Sequence, residues 1–350
     1  MHPEPEILPS HLTADEAQPA LTVQSIAPSS LAVHQSLRDA ARSAGQYIAA
    51  SKSPATRRAY ASDWRHFAAW CADHGLASLP ATPDTVTLYI AQMADPPKGG
   101  KPFKASTITR RLSAINTAHK AAGFDSPAKM EKVLVAETLH GIRRTHGTVP
   151  AMKKPLTLDR IVKILGTLEG PIAAARDKAL LLLGFVGGLR RSELAALRVE
   201  HLSKHRSGYT IRIPRSKTDQ EGKGREIEIV AGTNELTCPV LALENWMAIA
   251  PIQDGYLLRS VGQYGSVGQS LDKDSIGEII KRLVRRAKLA HPEEYGGHSL
   301  RAGFVTEASA NGATDRQIMR QTGHKSRAMI DRYFREDRKD RKIAASKLGL

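Results

Sequence analysis

Cysteine is scarce in this chain, which has only two, Cys71 and Cys238, among 350 residues. So few cysteines exclude a disulfide scaffold and a cysteine-rich zinc site, and they suit a reducing cytosol. The sequence also lacks any apolar run of the roughly 18 uncharged residues that a membrane helix needs. Its N-terminus carries glutamates and no basic residue, so it does not resemble a secretory signal.

Lysine and arginine are absent from residues 1–34, where four acidic residues give a net charge of −4. This segment is rich in Pro, Ser and Ala, which predicts a disordered acidic tail. The whole chain nevertheless has 51 basic and 35 acidic residues, a net charge of +16. That balance favours a polyanionic partner such as nucleic acid, although it can also serve solubility alone. With 41% hydrophobic residues, the chain can form ordinary cores, and its length suggests two domains.

Residues 35–145 show helical periodicity and predict a first, helical domain. Four aromatic residues recur on one helical face and are interpreted as core: Tyr60, Trp64, Phe67 and Trp70. A further helix is predicted to start at Ser106 or Thr107, either of which could cap it, and to run to about Ala122. Its buried stripe would consist of Ile108, Leu112, Ile115 and Ala118. Hydroxyl and basic residues off this stripe suit DNA phosphates, although a solvated surface explains the same pattern.

Residues 146–155 contain two prolines, a glycine and two lysines without helical period, which predicts a linker. Residues 156–350 form the predicted second domain. Its helical patterns cover about 157–168, 172–186, 239–249, 273–289, 299–311, 314–322 and 327–335. The alternating runs Tyr209–Ile213 and Arg225–Val230 flank a polar, glycine-containing stretch and predict a β-hairpin. The predicted fold class is therefore mainly α with a small antiparallel β-sheet.

Polar clusters interrupt the apolar helices of the second domain. In the first cluster, a buried run ends at Gly187 and Gly188, and a new helix begins with Arg190 in its first turn. A helix start favours anions, so an arginine there is explained if an anion binds beside it, unless the arginine is simply solvated. The second cluster is Lys217 in the predicted hairpin, where a polar residue is expected on structural grounds as well.

The third cluster places His298 and Arg301 three residues apart on one helical face, so that one phosphate could contact both. The fourth is His324, which follows Gly323, with Tyr333 nine residues further along. A continuous helix would put His324 and Tyr333 on opposite sides, whereas a break at Gly323 lets them converge. None of these clusters is specific alone, and their significance lies in their order.

The clusters form one ordered pattern along the chain: Arg190, Lys217, His298-x-x-Arg301, His324 and Tyr333. With the motifs G-L-R-R-S-E-L, H-S-L-R-A-G-F, Q-T-G-H and D-R-Y, the second domain strongly resembles the tyrosine recombinases, or phage integrases, which include Cre-like and Xer-like enzymes. The segments T-R-R-A-Y and T-R-R-L-S-A-I resemble the helical core-DNA-binding domain of the same family. The resemblance implies a two-domain DNA clamp, in which a helical core-binding domain is joined to a catalytic domain.

The resemblance further implies that Tyr333 attacks phosphorus, forms a 3′-phosphotyrosyl bond and releases a 5′-hydroxyl. Arg190, Arg301 and His324 would bind the scissile phosphate and stabilise the transition state, because arginine presents a permanent cationic fork. The covalent intermediate conserves the bond energy, so no ATP, cofactor or metal is expected. The sequence offers no carboxylate cluster that matches the two-metal sites of many nucleases.

Proton transfer would fall to two further residues. His298 is the candidate acceptor of the tyrosine proton, since an unperturbed phenol has a pKa of about 10 and needs a base. Lys217 would act as general acid for the leaving oxygen, and Lys223 in the same hairpin is the alternative. Glu193 is expected to support Arg190 through a salt bridge, unless it pairs with the neighbouring arginine or faces solvent.

DNA contacts are predicted for one helix and the linker, at Thr107, Thr109, Arg110, Arg111, Lys153 and Lys154. The expected partner is double-stranded DNA with specific core sites, bound by a homotetramer that joins two sites through a Holliday junction and is monomeric when free. Residues 338–350 have a small apolar face that is expected to dock into a neighbouring subunit, a frayed end being the alternative. Residues 1–34 are too short and too acidic for an arm-binding domain, which suggests recognition of core sites only.

Two rival functions share parts of this pattern. A DNA-binding accessory protein without catalysis has the same charge and helical first domain, but has no need for the complete set of catalytic residues. A type IB-like topoisomerase shares the chemistry without site specificity. The expected setting is the cytoplasm, in association with the nucleoid, in a prokaryotic or phage-like context.

Overall fold

The computed structural model describes residues 35–130, 132–148, 152–214, 219, 222–331 and 333. The described residues form two compact units, one ending at residue 148 and the other beginning at residue 152. The predictions for the tail 1–34, for Lys217 and for the terminal segment 338–350 lie outside the described residues. None of the helices in the described part of the chain is long and apolar enough to cross a bilayer.

The first unit consists of helices. They are α1 (Gln35–Ala50), α2 (Pro54–Asp73), α3 (Pro83–Ala94), α4 (Ala105–Ala121), α5 (Pro127–Met130) and α6 (Lys132–His146). Ser53 and Thr82 start α2 and α3, because each hydroxyl accepts a first-turn amide and a proline follows at once. Trp64 and Phe67 of the predicted aromatic face are buried in the core of this unit, and the other two aromatic residues are partly buried.

The start of α4 differs from the prediction. This helix begins at Ala105, after Lys104, and no side chain caps it, so Ser106 and Thr107 lie inside its first turn. A helix needs no cap where tertiary packing of its apolar face supplies the stability. The predicted stripe is confirmed, since all four residues are buried: Ile108, Leu112, Ile115 and Ala118.

The second unit combines further helices with one small sheet. The helices are α7 (Leu158–Leu165), α8 (Pro171–Val186), α9 (Arg191–Ala195), α10 (Pro239–Ile249), α11 (Lys273–Arg286), α12 (Gly297–Ala310), α13 (Asp315–Thr322) and α14 (Arg327–Ile330). The strands β1 (Leu202–His205), β2 (Gly208–Ile213) and β3 (Arg225–Val230) pair antiparallel in that order. The predicted hairpin is thus confirmed as β2 and β3. Strand β1 has no alternating pattern, because only its first residue is apolar.

Helix α8 lies at the centre of the second unit. Nearly every residue in its second half, from Ala179 to Phe185, is buried, and α8 packs against α10 and α12. In α10, Trp246 is fully buried and its indole Nε1 donates to the carbonyl of Leu257 at 2.8 Å. A long helix held in this way gives its C-terminal end a fixed position, and the candidate site is built from that end.

Candidate active site

The turn after α8 carries the first arginine of the predicted site. Gly188 has a φ of 53°, in the left-handed region, and a Cβ there would lie 2.9 Å from the methyl carbon of Thr322. Glycine is therefore required for both the backbone conformation and the close packing against α13. The turn places Arg190 directly before α9, where its backbone amide donates to Oε2 of Glu193 at 2.9 Å.

Glu193 binds two arginines. Its Oε1 accepts from Nη1 of Arg190 at 2.7 Å, which is the salt bridge expected from their spacing. Arg225, the first residue of β3, donates from Nη1 and Nη2 to the two carboxylate oxygens at 3.2 and 3.0 Å. Burial by itself raises the pKa of Glu193, but the hydrogen bonds and charges of Arg225 and Arg190 outweigh it and lower the pKa. The ionised carboxylate thus holds both guanidinium groups in place.

Arg225 belongs to the site, although sequence reasoning did not single it out. Its one sequence signal is its place directly after Gly-Lys-Gly, at the start of a strand. Lys223, the alternative general acid, is exposed on the same hairpin and lines a cleft together with Arg225. The backbone amide of Lys223 donates to Oδ1 of Asp219 at 3.1 Å, which orders the described end of the hairpin loop.

Arg301 lies deepest in the site. Its side chain is only 1% exposed, and its Nη1 donates to the carbonyls of Gly188 at 2.8 Å and Thr322 at 2.6 Å. Burial, followed by the charge of Arg190, lowers the pKa of Arg301 to about 10, so the group stays charged at neutral pH. Its Nη2 is buried and has no hydrogen-bond partner among the described residues. A buried cationic donor of this kind has the chemistry to bind an anion.

His324 follows the end of α13 and is 7% exposed. Its Nδ1 lies 2.8 Å from Oγ1 of Thr322. Burial, followed by the charges of Arg301 and Arg190, lowers the pKa of His324 to about 3, so the imidazole is neutral at pH 7. Gly323 has a φ of 68°, and this left-handed residue ends the helix and turns His324 towards the arginines.

Tyr333 lies next to His324, with 5.8 Å between the two ring centroids. The tyrosine packs against a small apolar cluster: Val305, Ile318 and Ile330. The predicted helix break at Gly323 is present and brings His324 and Tyr333 together. Of the helix predicted over 327–335, the structure shows α14 from Arg327 to Ile330, while residues 332, 334 and 335 lie outside the described residues.

His298 occupies the first turn of α12 and is exposed, whereas Arg301 one turn later is buried. Its electrostatic interaction with His324 is one of the smaller causes of the lowered pKa of His324, so the two side chains lie near each other. His298 also lines a cleft that is rich in basic residues: Lys153, Lys281, Arg282 and Arg285. The structure therefore brings His298 to the opening of the site and not into its buried interior.

The residues of α4 that were predicted to contact DNA differ in their surroundings. Thr107 is partly buried, and Thr109 accepts from Nη2 of Arg143 at 3.1 Å. Arg110 is half-exposed and forms a two-bond ion pair with Asp63, at 2.8 and 3.0 Å. These three side chains lie at or near the surface of the unit.

Arg111 does not fit the prediction of an outer, DNA-facing position. Its side chain is buried, and its guanidinium carbon lies 4.3 Å from the centroid of the Phe103 ring. Its Nη1 also lies 3.0 Å from Sδ of Met93. The reason is helical geometry, because position 111 lies next to the apolar stripe through Ile108 and Leu112. Arg111 is a packing residue of the first unit.

The two linker lysines contact the turn before α12. Lys153 Nζ donates to the backbone carbonyl of Glu293 at 2.7 Å. Lys154 forms an ion pair with the carboxylate of Glu294, and its backbone amide donates to the carbonyl of the same residue at 2.9 Å. These contacts tie the start of the second unit to the segment that carries His298.

Comparisons with known proteins agree with this arrangement. The model of the phage integrase family matches residues 154–340, and that of the phage integrase N-terminal SAM-like domain matches residues 46–122. The chain belongs to the phage integrase family. This membership confirms the identification made from the motifs, and it makes the protein a tyrosine-type site-specific DNA recombinase.

Relatives of this phage integrase family member cover most of its length. An integrase/recombinase XerD homologue of Selenomonas ruminantium is 38% identical over 291 residues, covering 82% of this chain and 83% of the relative. A solved λ integrase dimer bound to a core site has 17% identity and a TM-score of 0.55, covering 84% of this chain and 75% of the other. The XerH recombinase in a post-cleavage complex has 18% identity and a TM-score of 0.52, covering 77% and 71%. At these identities, the solved structures show the shared fold.

Proposed function

We propose that this recombinase cleaves and rejoins DNA at specific core sites, with Tyr333 as nucleophile and the scissile phosphate bound between Arg190 and Arg301. The observation that carries the proposal is the buried Nη2 of Arg301, which has no partner among the described residues. Leaving a buried charged donor unsatisfied costs free energy, and an anion at this point removes the cost. A phosphate suits the place because two guanidinium groups converge on it and each can present a fork of donors.

The proposed reaction conserves one phosphodiester bond. The phenol oxygen of Tyr333 attacks phosphorus, a 3′-phosphotyrosyl bond forms, and the 5′-oxygen leaves as a hydroxyl. Arg190 and Arg301 stabilise the extra negative charge of the five-coordinate transition state, and His324 is the proposed third donor. Reversal of the step by another 5′-hydroxyl rejoins the strand, so no ATP is consumed.

Proton transfer is assigned as the sequence suggested. His298, at the opening of the site, is the proposed acceptor of the tyrosine proton. Lys217, in the hairpin between β2 and β3, is the proposed general acid, with Lys223 as the alternative. Either lysine would protonate the leaving 5′-oxygen, since both belong to the loop that precedes Arg225.

The DNA partner is supported by the charge of both the site and its surroundings. The cleft beside His298 includes Lys281, Arg282 and Arg285 of α11, and such a surface attracts the phosphate backbone in a salt-dependent way. We further propose that the protein acts as a homotetramer on two core sites, through a Holliday junction, and is monomeric when free. The solved λ integrase dimer bound to a core site has the same fold, with a TM-score of 0.55.

Covalent capture tests the function directly. The protein is incubated in EDTA with fragmented DNA of the source organism, denatured, and the protein-linked fragments are sequenced. We expect linked fragments that end at a few discrete sites. The reaction contains EDTA because ligand atoms of His291, Glu293 and Glu294 lie close enough together to bind one cation. Covalent capture that depended on a metal would be lost in EDTA. DNA binding without linkage would indicate an accessory protein, and linkage at scattered positions with plasmid relaxation would indicate a topoisomerase.

Replacing Arg301 by Lys is expected to lower the rate of single-turnover cleavage about 100- to 1,000-fold, the usual effect of removing one transition-state donor. Lysine keeps the charge but loses the fork that reaches Gly188, Thr322 and the phosphate together. Quenched-flow or manual time courses of the covalent product measure the rate at saturating protein.

The matched control is Arg198→Lys, because Arg198 is a surface arginine paired with Glu200. Its cleavage rate should equal that of the wild type. Thermal unfolding of both variants shows whether Arg301→Lys is folded at the assay temperature. Equal cleavage rates for folded Arg301→Lys and the wild type would remove Arg301 from the phosphate site.

A further inference from the structure

The hydroxyl of Thr322 has two close partners. This residue is fully buried at the end of α13, and its Oγ1 lies 2.6 Å from the carbonyl oxygen of Ile318 and 2.8 Å from Nδ1 of His324. A carbonyl oxygen can only accept, so the hydroxyl donates its single hydrogen to Ile318. The contact with His324 must then run in the other direction, with Nδ1–H donating to Oγ1.

This assignment determines the tautomer of His324 in the free protein. The ring is neutral, because burial and the charges of Arg301, Arg190, His298 and Arg225 all oppose its protonation. A neutral imidazole carries one proton, and Thr322 holds that proton on Nδ1. The Nε2 atom therefore presents a lone pair. In this state, His324 cannot donate a hydrogen bond to a phosphate from Nε2.

A second arrangement uses the same heavy-atom positions. If the hydroxyl of Thr322 turns from Ile318 to Nδ1 of His324, then Nδ1 becomes the acceptor and the ring proton lies on Nε2. The change gives up one neutral hydrogen bond to a carbonyl, which is a small cost. Charging the ring instead would work against a pKa of about 3 and three nearby arginines. Rotation of a hydroxyl is therefore the easier route to a donor at Nε2.

We propose that Thr322 is a positioning residue that selects the tautomer of His324: Nδ1–H in the free protein, and Nε2–H when a DNA phosphate is bound between Arg190 and Arg301. The ring gains and loses no net proton, because Nδ1 releases one proton to solvent and Nε2 receives one. The imidazole therefore stays neutral throughout. The inference rests on the proposed function, because a bound phosphate is what makes a donor at Nε2 favourable.

Thr322 is suited to this task by both of its γ substituents. Its methyl carbon packs close to Gly188, as shown by the 2.9 Å that would separate it from a Cβ at that position. Its hydroxyl faces Ile318 and His324. Thr322→Val keeps the methyl and replaces the hydroxyl by a group of similar size, whereas Thr322→Ser keeps the hydroxyl alone. The two variants therefore separate hydrogen bonding from packing.

The experiment is nitrogen NMR of the full chain labelled with ¹⁵N-histidine, free and with saturating inorganic phosphate. The chain has 13 histidines, so His324→Gln identifies the relevant ring. We expect the Nδ1–H pattern in the free wild type and the Nε2–H pattern with phosphate, and the same change in Thr322→Ser. In Thr322→Val, we expect the Nε2–H pattern in both conditions, because Nδ1 has lost its acceptor.

Several outcomes would overturn this inference. They are an Nε2–H ring in the free wild type, an Nδ1–H ring that persists in the phosphate complex, a doubly protonated ring with phosphate, and an unaltered tautomer change in Thr322→Val. A failure of phosphate to perturb His324 at all would also overturn it. Covalent capture of DNA is measured separately, so the function can stand while the tautomer change fails.

Discussion

Replacing Tyr333 by Phe is expected to abolish covalent capture of DNA while DNA binding is unchanged. The substitution removes only the phenol oxygen, which is the proposed nucleophile in the attack on phosphorus. The aromatic ring can still pack against Val305, Ile318 and Ile330, so the site should keep its shape. Denaturing gels of labelled, site-bearing fragments measure the covalent product, and native gels of the same samples measure binding.

The matched control is Tyr264→Phe, because Tyr264 is 94% exposed and lies outside the site. This variant should capture DNA at the wild-type level. Persistent covalent complexes in Tyr333→Phe would show that another residue is the nucleophile. Loss of DNA binding in Tyr333→Phe would show that the tyrosine has a structural role, and the two assays separate these results.

Replacing Glu193 by Gln is expected to destabilise the second unit by about 3–5 kcal/mol, the usual cost of removing one partner of a buried ion pair. The side chain of Glu193 is 1% exposed, and the variant leaves the guanidinium groups of Arg190 and Arg225 without their shared countercharge. Cleavage should fall as well, since the same carboxylate holds the guanidinium group of Arg190, which is proposed to bind the phosphate. Calorimetry of the full chain measures the transition of each unit, and the transition of the first unit should not move.

The control for this prediction is Glu244→Gln. Glu244 pairs with Lys204 at 2.7 Å, but both side chains are partly exposed, so its loss should cost less than about 1 kcal/mol. Because the pKa of Glu193 is lowered in the folded state, its stabilising contribution is present at neutral pH and is lost as the pH falls through that pKa. Equal transition temperatures for Glu193→Gln and Glu244→Gln would contradict a structural role for the two-arginine pair.

The fold class followed from local patterns, and so did most of the hairpin. Apolar periodicity located the buried stripe of α4, and alternating residues located β2 and β3, because both signals repeat every few residues. The predicted cap of α4 was wrong because Ser106 and Thr107 have the right chemistry but lie two and three residues after the cap position, Lys104. Helix ends depend on packing, and a cap is needed only where packing does not supply the stability.

The surroundings of individual arginine side chains could not be predicted from local sequence. Arg111 was predicted to contact DNA and Arg225 was overlooked, because in the sequence each is one basic residue among many. Whether a guanidinium faces solvent, an aromatic ring or a carboxylate depends on elements that are remote in sequence. Phe103 and Met93 surround Arg111, and Glu193 binds Arg225 from 32 positions away.

By itself, the sequence determined the fold class, the family and the candidate residues that are proposed to attack and bind a phosphate, because their motifs occur in the order that is typical of the family. The tertiary structure alone decided which groups are buried together. Arg301 reaches the carbonyl of Gly188, 113 positions away, and the hydroxyl of Thr322 lies between a helix carbonyl and His324. Hydrogen bonds and ion pairs depend on distances of a few tenths of an ångström between separate elements, and no local pattern in the chain encodes such distances.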